Sequence, residues 1–329
     1  MKKIVLATLA SVTISCMATY AYGKLVRQMT PITSVDFSSR QATISVKTIE
    51  TGVIDIRKCH FSNCLGEETN YFLRLGRIVV SGRRNKPIPI NTYLLQHPEG
   101  NFLIDTGGDS NFQDKSTWGC DKVSGVASRR LARVETYKSE EIVPRLASLG
   151  LAPKDIKSAI ITHMHFDHTG GIQSLGAKTI VGEQDVVQAR IIGSTPCRFV
   201  GASKLDFFEA ELAKIEAQDP RLVVDEFEPL FGKSLPLTQD GAIRVYSTPG
   251  HTPGSLSVRV ATDRGNLWFI GDISFSNEGV DMHAHVAGIH NDIPMIRETH
   301  DKLRALRDAG GNLLIPAHDK EADKRLKNF

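Results

Sequence analysis

Four side chains able to hold a metal ion fall within six residues, in the run His163-Met164-His165-Phe166-Asp167-His168. Neutral imidazoles and carboxylates bind divalent cations such as zinc at about 2.0–2.2 Å. His163 and His165 are two apart and follow the short apolar run 157–162. In extended backbone they point to the same side and could grip one ion. Asp167 and His168 come next, on a turn leading to Gly170-Gly171, where they could face a second ion. A lone histidine is usually a satisfied core or surface residue. No folding requirement explains this density.

Three more candidate ligands each sit where an apolar strand runs into a turn. They are His251 in Ser247-Thr248-Pro249-Gly250-His251-Thr252-Pro253-Gly254, Asp272 in Phe269-Ile270-Gly271-Asp272, and His318 in Ile315-Pro316-Ala317-His318-Asp319. Asp105 lies in Leu103-Ile104-Asp105-Thr106-Gly107. Asp-Thr-Gly also marks aspartic proteases, but their dyad needs two copies and this chain has one.

The elements that must position these residues read as follows. Residues 44–54 and 71–80 alternate apolar with polar, as strands do. Residues 90–95 and 101–105 flank Pro98-Glu99-Gly100 and form a hairpin. Residues 140–149 are spaced as a helix ending on Gly150, and 157–162 form the strand that delivers the histidine run. Residues 179–181 are a strand and 204–218 an amphipathic helix. Strands follow at 242–248, 255–260 and 267–270. A helix over 294–309 begins at Pro294 and stops at Gly310-Gly311, and 313–315 is the last strand. Strand blocks alternating with helices in both halves imply two sheets between helix layers.

Composition narrows the partners. The chain of 329 residues carries 40 basic and 37 acidic side chains, for a formal charge of +3. Basic residues cluster no further than pairs such as Arg83-Arg84 and Arg129-Arg130, so charge gives no sign of nucleic-acid binding. Met1-Lys2-Lys3, an apolar stretch to about Ala18 and small residues around Thr19-Tyr20-Ala21 read as an export signal. The expected division is a signal at 1–23, an N-terminal arm at 24–45 and one domain at 46–329 that carries the candidate ligands. The location is then periplasmic or secreted. Ser15-Cys16 also suggests a lipid anchor at Cys16, although Thr13 stands where such signals usually have Leu. No later segment is a continuous apolar run of about 18 residues, so no membrane span is expected. Cys59, Cys64, Cys120 and Cys197 make an even number for an oxidising compartment, with Cys59–Cys64 and Cys120–Cys197 one pairing.

The ordered set H-x-H-x-D-H, then H, then D, then H resembles the metallo-β-lactamase superfamily over residues from about 70 to 319. The resemblance implies an αββα four-layer sandwich of two mixed β-sheets flanked by helices, with the site at one edge. It implies one metal on His163, His165 and His251, another on Asp167, His168 and His318, and Asp272 bridging them. Asp105 matches a position that is structural in that family. Two divalent metals, zinc by default for such donors, would share a water, lower its pKa and supply hydroxide near neutral pH. The resemblance implies that Asp167 and Asp272 are the catalytic carboxylates, and Asp272 could also pass a proton. The Asp167-His168 pair, the segment 90–107 and Pro316-Ala317-His318-Asp319 look most like the N-acyl homoserine lactonase branch. The expected partner is therefore a small lactone or ester, and a homodimer is left open.

Such lactonases usually carry a tyrosine three residues after the bridging aspartate, and this chain has Phe275. Losing that donor would cost a few kcal/mol in the transition state. The alternatives on the same fold are organophosphate triester hydrolysis and iron-dependent oxidoreduction. Phe207-Phe208 and residues 227–231 could wall an acyl chain or pack in the core. His283, His285 and His290 are read as a surface loop.

Overall fold

The computed structural model describes residues 29–39, 42–61, 70–82, 87–112, 114, 130–192, 205–276 and 288–329. Among them the first sheet runs in the order β1 (Thr33–Ser38), β2 (Thr43–Ile56), β3 (Ile88–His97), β4 (Gly100–Ile104), β6 (Ile156–Ile160), β7 (Lys178–Val181) and β8 (Leu205–Phe207). In addition, β5 (Ala132–Glu135) pairs with β2. The second sheet runs β13 (Asn312–Pro316), β12 (Gly265–Gly271), β11 (Leu256–Thr262), β10 (Ile243–Ser247) and β9 (Leu235–Pro236). Both are mixed. The steps β4–β6, β6–β7, β7–β8 and β12–β13 are parallel and the rest antiparallel.

The period of two sets the layers. Tyr93 and Leu95 of β3, with Phe102 and Ile104 of β4, face the second sheet. Ile243 and Val245 of β10, with Leu267 and Phe269 of β12, face back. Tyr93 and Phe269 meet across the gap with ring centroids 4.6 Å apart. The intervening residues turn outward: Leu94 and Leu103 on one side, Tyr246, Trp268 and Ile270 on the other. Each such side chain contributes roughly 2 kcal/mol by leaving water.

Helices lie on those outer faces and along the rim of the core, where Phe208, Ala322 and Leu326 join the residues between the sheets. They are α1 (Tyr71–Val80), α2 (Ile142–Ala147), α3 (Phe166–Thr169), α4 (Glu183–Ile192), α5 (Phe208–Gln218), α6 (Ile293–Asp308) and α7 (Ala322–Asn328). Ile142 and Leu146 of α2 pack on Leu94 and Leu103. Ile293, Ile296, Leu303 and Leu306 of α6 pack on Trp268 and Ile270. Asp292 caps α6 by accepting from the Met295 N–H at 2.9 Å, and Gly310 and Gly311 follow its end with φ of 76° and 67°. The αββα sandwich is therefore present.

Three expectations are corrected. Residues 71–80 form a helix, because Asn70 caps the Phe72 N–H at 2.9 Å and buried Arg74 and Ile78 stand four apart on one face. Residues 205–207 are a strand and the helix starts only at Phe208, since Val181 and Phe207 pair in register along β7 and β8. His290, read as part of a surface loop, is only 1% exposed; His283 and His285 lie outside the described residues. Cys59 is disulfide-bonded, and the other cysteines fall outside the described residues. Within the segment read as an arm, residues 33–38 are the edge strand β1. No helix among the described residues is long and apolar enough to cross a membrane.

Candidate metal centre

Seven buried or half-buried donors converge where strands of both sheets end. The histidine run follows β6, His251 follows β10, Asp272 follows β12 and His318 follows β13. Carboxyl ends of strands are where open α/β sheets place ligands.

The donors form two groups. His163 Nε2, His165 Nδ1 and His251 Nε2 face one another at 2.9, 3.1 and 3.1 Å. In the second group, His318 Nε2 lies 3.3 Å from Asp167 Oδ2 and 3.2 Å from Asp272 Oδ1, and His168 Nε2 lies 3.4 Å from Asp272 Oδ1. Asp272 turns its other oxygen to the first group, with Oδ2 3.9 Å from His163 Nε2 and 3.8 Å from His251 Nε2. Within each group the candidate ligand atoms all lie within 4.8 Å of one another.

The outward nitrogens explain why the inward ones converge. His168 Nδ1–H donates to Asp105 Oδ2 at 2.7 Å, and His318 Nδ1–H donates to the Pro89 carbonyl at 2.7 Å. His163 Nδ1 lies 3.2 Å from the Thr162 hydroxyl, and His251 Nδ1 lies 3.0 Å from His290 Nδ1. With Nδ1 committed as a donor, each of these rings turns an Nε2 lone pair inward, the tautomer that a cation requires. Asp105 also accepts from the Thr162 N–H (2.7 Å) and hydroxyl (2.9 Å), which ties β4 to the start of the histidine run. It holds a left-handed backbone, with φ 62°, unusual for a residue other than glycine.

The paired glycines after His168 serve this packing. A Cβ on Gly170 would stand 2.4 Å from the Gly108 carbonyl carbon, so only glycine lets α3 sit on the Asp105–Gly108 turn. There the Thr106 N–H donates to the His168 carbonyl at 2.8 Å.

Electrostatics divide the groups. Burial, then neighbouring imidazoles, hold His163 and His251 well below the ordinary histidine range, and burial also lowers His165. Burial opposes charge on His168 and His318 too, but the carboxylates outweigh it. Asp105 and Asp272 raise His168, while Asp272 and Asp167 lift His318 to about 10. Burial likewise opposes charge on Asp167 and Asp272, yet His168 and His318 keep both below the usual carboxylate range. His168 Nε2 and Asp272 Oδ1 are buried without a hydrogen-bond partner. Two buried carboxylates, five inward imidazoles and those orphaned atoms suit a pair of divalent cations.

The structure thus brings together all seven residues singled out in the sequence. It does not bring Phe207, Phe208, Phe227 or Phe231 to the centre. Phe208 packs between the sheets, Phe207 lies by Ile161 and Val181, and Phe227 and Phe231 pack on Trp268. The aromatic wall comes instead from Phe112, Phe166 and Phe275. The Phe112 and Phe166 rings meet at a tilt with centroids 4.4 Å apart, and the Phe275 ring lies 5.7 Å from that of His318. His290 and Asp185, which also support the donor loops, were not legible as such. Neither belongs to a ligand spacing.

Comparison with known proteins gives concordant results. The profile of the Metallo-beta-lactamase superfamily matches residues 85–318. An N-acyl homoserine lactonase AttM from Azorhizobium caulinodans is 26% identical over 243 residues, 71% of this chain and 83% of that protein. An N-acyl homoserine lactonase from Bacillus cereus is 21% identical over 74% of this chain and 86% of its own length. Among solved structures, an N-acyl homoserine lactone hydrolase with N-hexanoyl-L-homoserine at its catalytic metal centre superposes with a TM-score of 0.63. It has 18% identity and covers 85% of this chain and 94% of that one. AidC, a dizinc quorum-quenching lactonase, gives a TM-score of 0.55 at 16% identity, covering 88% and 90%. At these identities the structural likeness speaks to the fold.

Proposed function

The chain belongs to the metallo-beta-lactamase superfamily, and from that premise we propose that it is an exported dizinc hydrolase that opens the lactone ring of N-acyl homoserine lactones. The observation that carries this reading is the bridged pair of donor groups with an apolar wall beside it. Asp272 faces both groups, and Phe166 and Phe275 extend an apolar cluster of Ile54, Ile88, Ile90 and Phe112 next to them. A polar ring to be cleaved and a hydrocarbon tail to be seated require that combination.

His163, His165 and His251 would hold one cation, Asp167, His168 and His318 the other, with Asp272 between them. Bound divalent cations supply a Lewis acid for the carbonyl and water of lowered pKa. The chain's own residues do the rest. Asp105, Thr162, His290 and the Pro89 carbonyl keep the imidazoles in their tautomers. Asp272 would take one proton of the attacking water and return it to the ring oxygen as the acyl–oxygen bond breaks, leaving a hydroxyl and a carboxylic acid that gives its proton to solvent. Phe112, Phe166 and Phe275 exclude water and seat the acyl chain. Phe275 carries no hydroxyl to donate to the carbonyl oxygen.

Residues 1–23 serve as the export signal of this reading. The disulfide at Cys59 agrees with an oxidising compartment.

The test is a pH-stat assay of the purified protein, its metal content determined, on a long-chain N-acyl homoserine lactone. Acid release that disappears in His165→Ala is the expected result. Two ions per chain with no acid release would remove the lactonase reading and move the search to phosphotriesters and other esters. Iron in place of zinc would remove the dizinc assignment.

A further inference from the structure

Asp185 stands outside every ligand spacing, yet its carboxylate joins the two loops that carry the three-histidine group. It lies in the first turn of α4 and is 1% exposed. Oδ2 accepts from the Met164 N–H at 2.9 Å, the peptide between His163 and His165. The same oxygen accepts from the Thr252 hydroxyl at 2.9 Å, and Oδ1 accepts from the Gly254 N–H at 2.7 Å, on either side of Pro253 in the loop that follows His251.

Such a carboxylate is expensive as mere packing. It is buried with three neutral donors, and the charged residue that most affects it is another acid, Glu209. Burial pushes its carboxyl up to about 6. Residues 182–185 are also pressed backbone to backbone against the loop that follows His251. A Cβ on Gly182 would lie 2.1 Å from the Gly254 carbonyl oxygen, and one on Gly254 would lie 2.7 Å from the Asp185 nitrogen.

We infer that Asp185 is a positioning residue that sets the separation between the His163–His165 pair and His251, and thereby the cation affinity of the three-histidine group alone. The inference rests on the reading that this group holds a cation. Among the described residues no hydrogen bond links Asp185 to Asp167, His168 or His318; His168 is oriented through Asp105 and His318 through the Pro89 carbonyl. Support from behind the ligands typically changes metal affinity tenfold to a hundredfold, roughly.

The experiment is a titration of the purified chain with zinc against a competing chelator, repeated with cobalt(II) to follow its visible absorption. Wild-type protein, Asp185→Asn and Thr252→Val are compared. Thr252→Val removes one of the three bonds while keeping shape, should Asp185→Asn not fold. Glu183→Gln, an exposed neighbour on α4, is the control. We expect two equivalents in the wild type. In the variants one equivalent keeps its affinity and the other weakens by about tenfold or more, with an altered cobalt spectrum for that equivalent only. Both equivalents weakening together, or neither changing, overturns the clamp. Failure of the wild type to bind two ions overturns the dimetal reading itself, a distinguishable result.

Discussion

Phe275 stands where the resemblance to the lactonases implies a tyrosine. Its ring stacks on that of His318, 23° from parallel with centroids 5.7 Å apart, and lies 6.3 Å from that of His251. A para-hydroxyl on this ring, which neighbours a histidine of each donor group, could donate to an oxygen that gains charge during ring opening. Preorganised donors of this kind are worth about a hundredfold to a thousandfold in kcat when removed. A donor added to a site not shaped around it should recover part of that. Phe275→Tyr is expected to raise kcat on the lactone by about tenfold, with KM changing less. Steady-state kinetics decide it. An unchanged or lower kcat would mean that the ring position does not face the substrate carbonyl. The seven donors could be read from the chain because ligand chemistry restricts residue type and spacing. His290 could not, because a histidine that accepts a hydrogen bond from another histidine leaves no pattern along the sequence.

At the scale of elements, strands bounded by turn residues were legible and helix identity was less so. The strand reading of residues 71–80 counted Phe72, Leu73 and Val80 as core positions because they are apolar, yet these three are exposed. What decides the helix is tertiary. Buried Arg74 donates from Nη2 to the His290 carbonyl at 2.8 Å, a contact 216 positions away in the chain. Likewise Leu205–Phe207 is a strand because β7 offers a parallel partner. The turn of α4 that carries Asp185 is another tertiary choice, and it predicts a pH dependence. The folded carboxyl, at about 6, sits above its ordinary value of 3.8. The folded state therefore binds more protons than the unfolded state between those values, and stability falls as pH rises through that window. Roughly two units correspond to about 3 kcal/mol. In urea unfolding with chelator present, the stability of wild type relative to Asp185→Asn should fall by about that amount from pH 4 to 7. Ligand histidines titrate in both proteins and cancel. A flat difference would show that the carboxyl ionises in its ordinary range.

For the molecule as a whole, the centre is a junction between sheets. His163, His165, Asp167 and His168 come from the end of β6 in the first sheet, whereas His251, Asp272 and His318 come from β10, β12 and β13 in the second. The apolar core between the sheets is continuous from Phe37 and Ile44 to Val258 and Ile315. Hydrophobic burial thus holds the sandwich together, while the donors face one another across one edge. Cations bound there would connect the sheets in the folded state and find no such arrangement in the unfolded chain. An ion at a thousand times its dissociation constant adds about 4 kcal/mol to folding. Two would add about 8, and at roughly 2 °C per kcal/mol for a chain of this size the midpoint should move by about 15 °C. Chelation should therefore lower the thermal midpoint by about that amount, and zinc should restore it. Asp272→Ala should weaken both halves of the effect at once, since one carboxylate faces both groups. His318→Ala should remove about half, leaving the three-histidine group loaded. A midpoint indifferent to chelator in protein shown to have lost its metal would mean that the core alone fixes the edge and that the donors are held in place before any ion arrives.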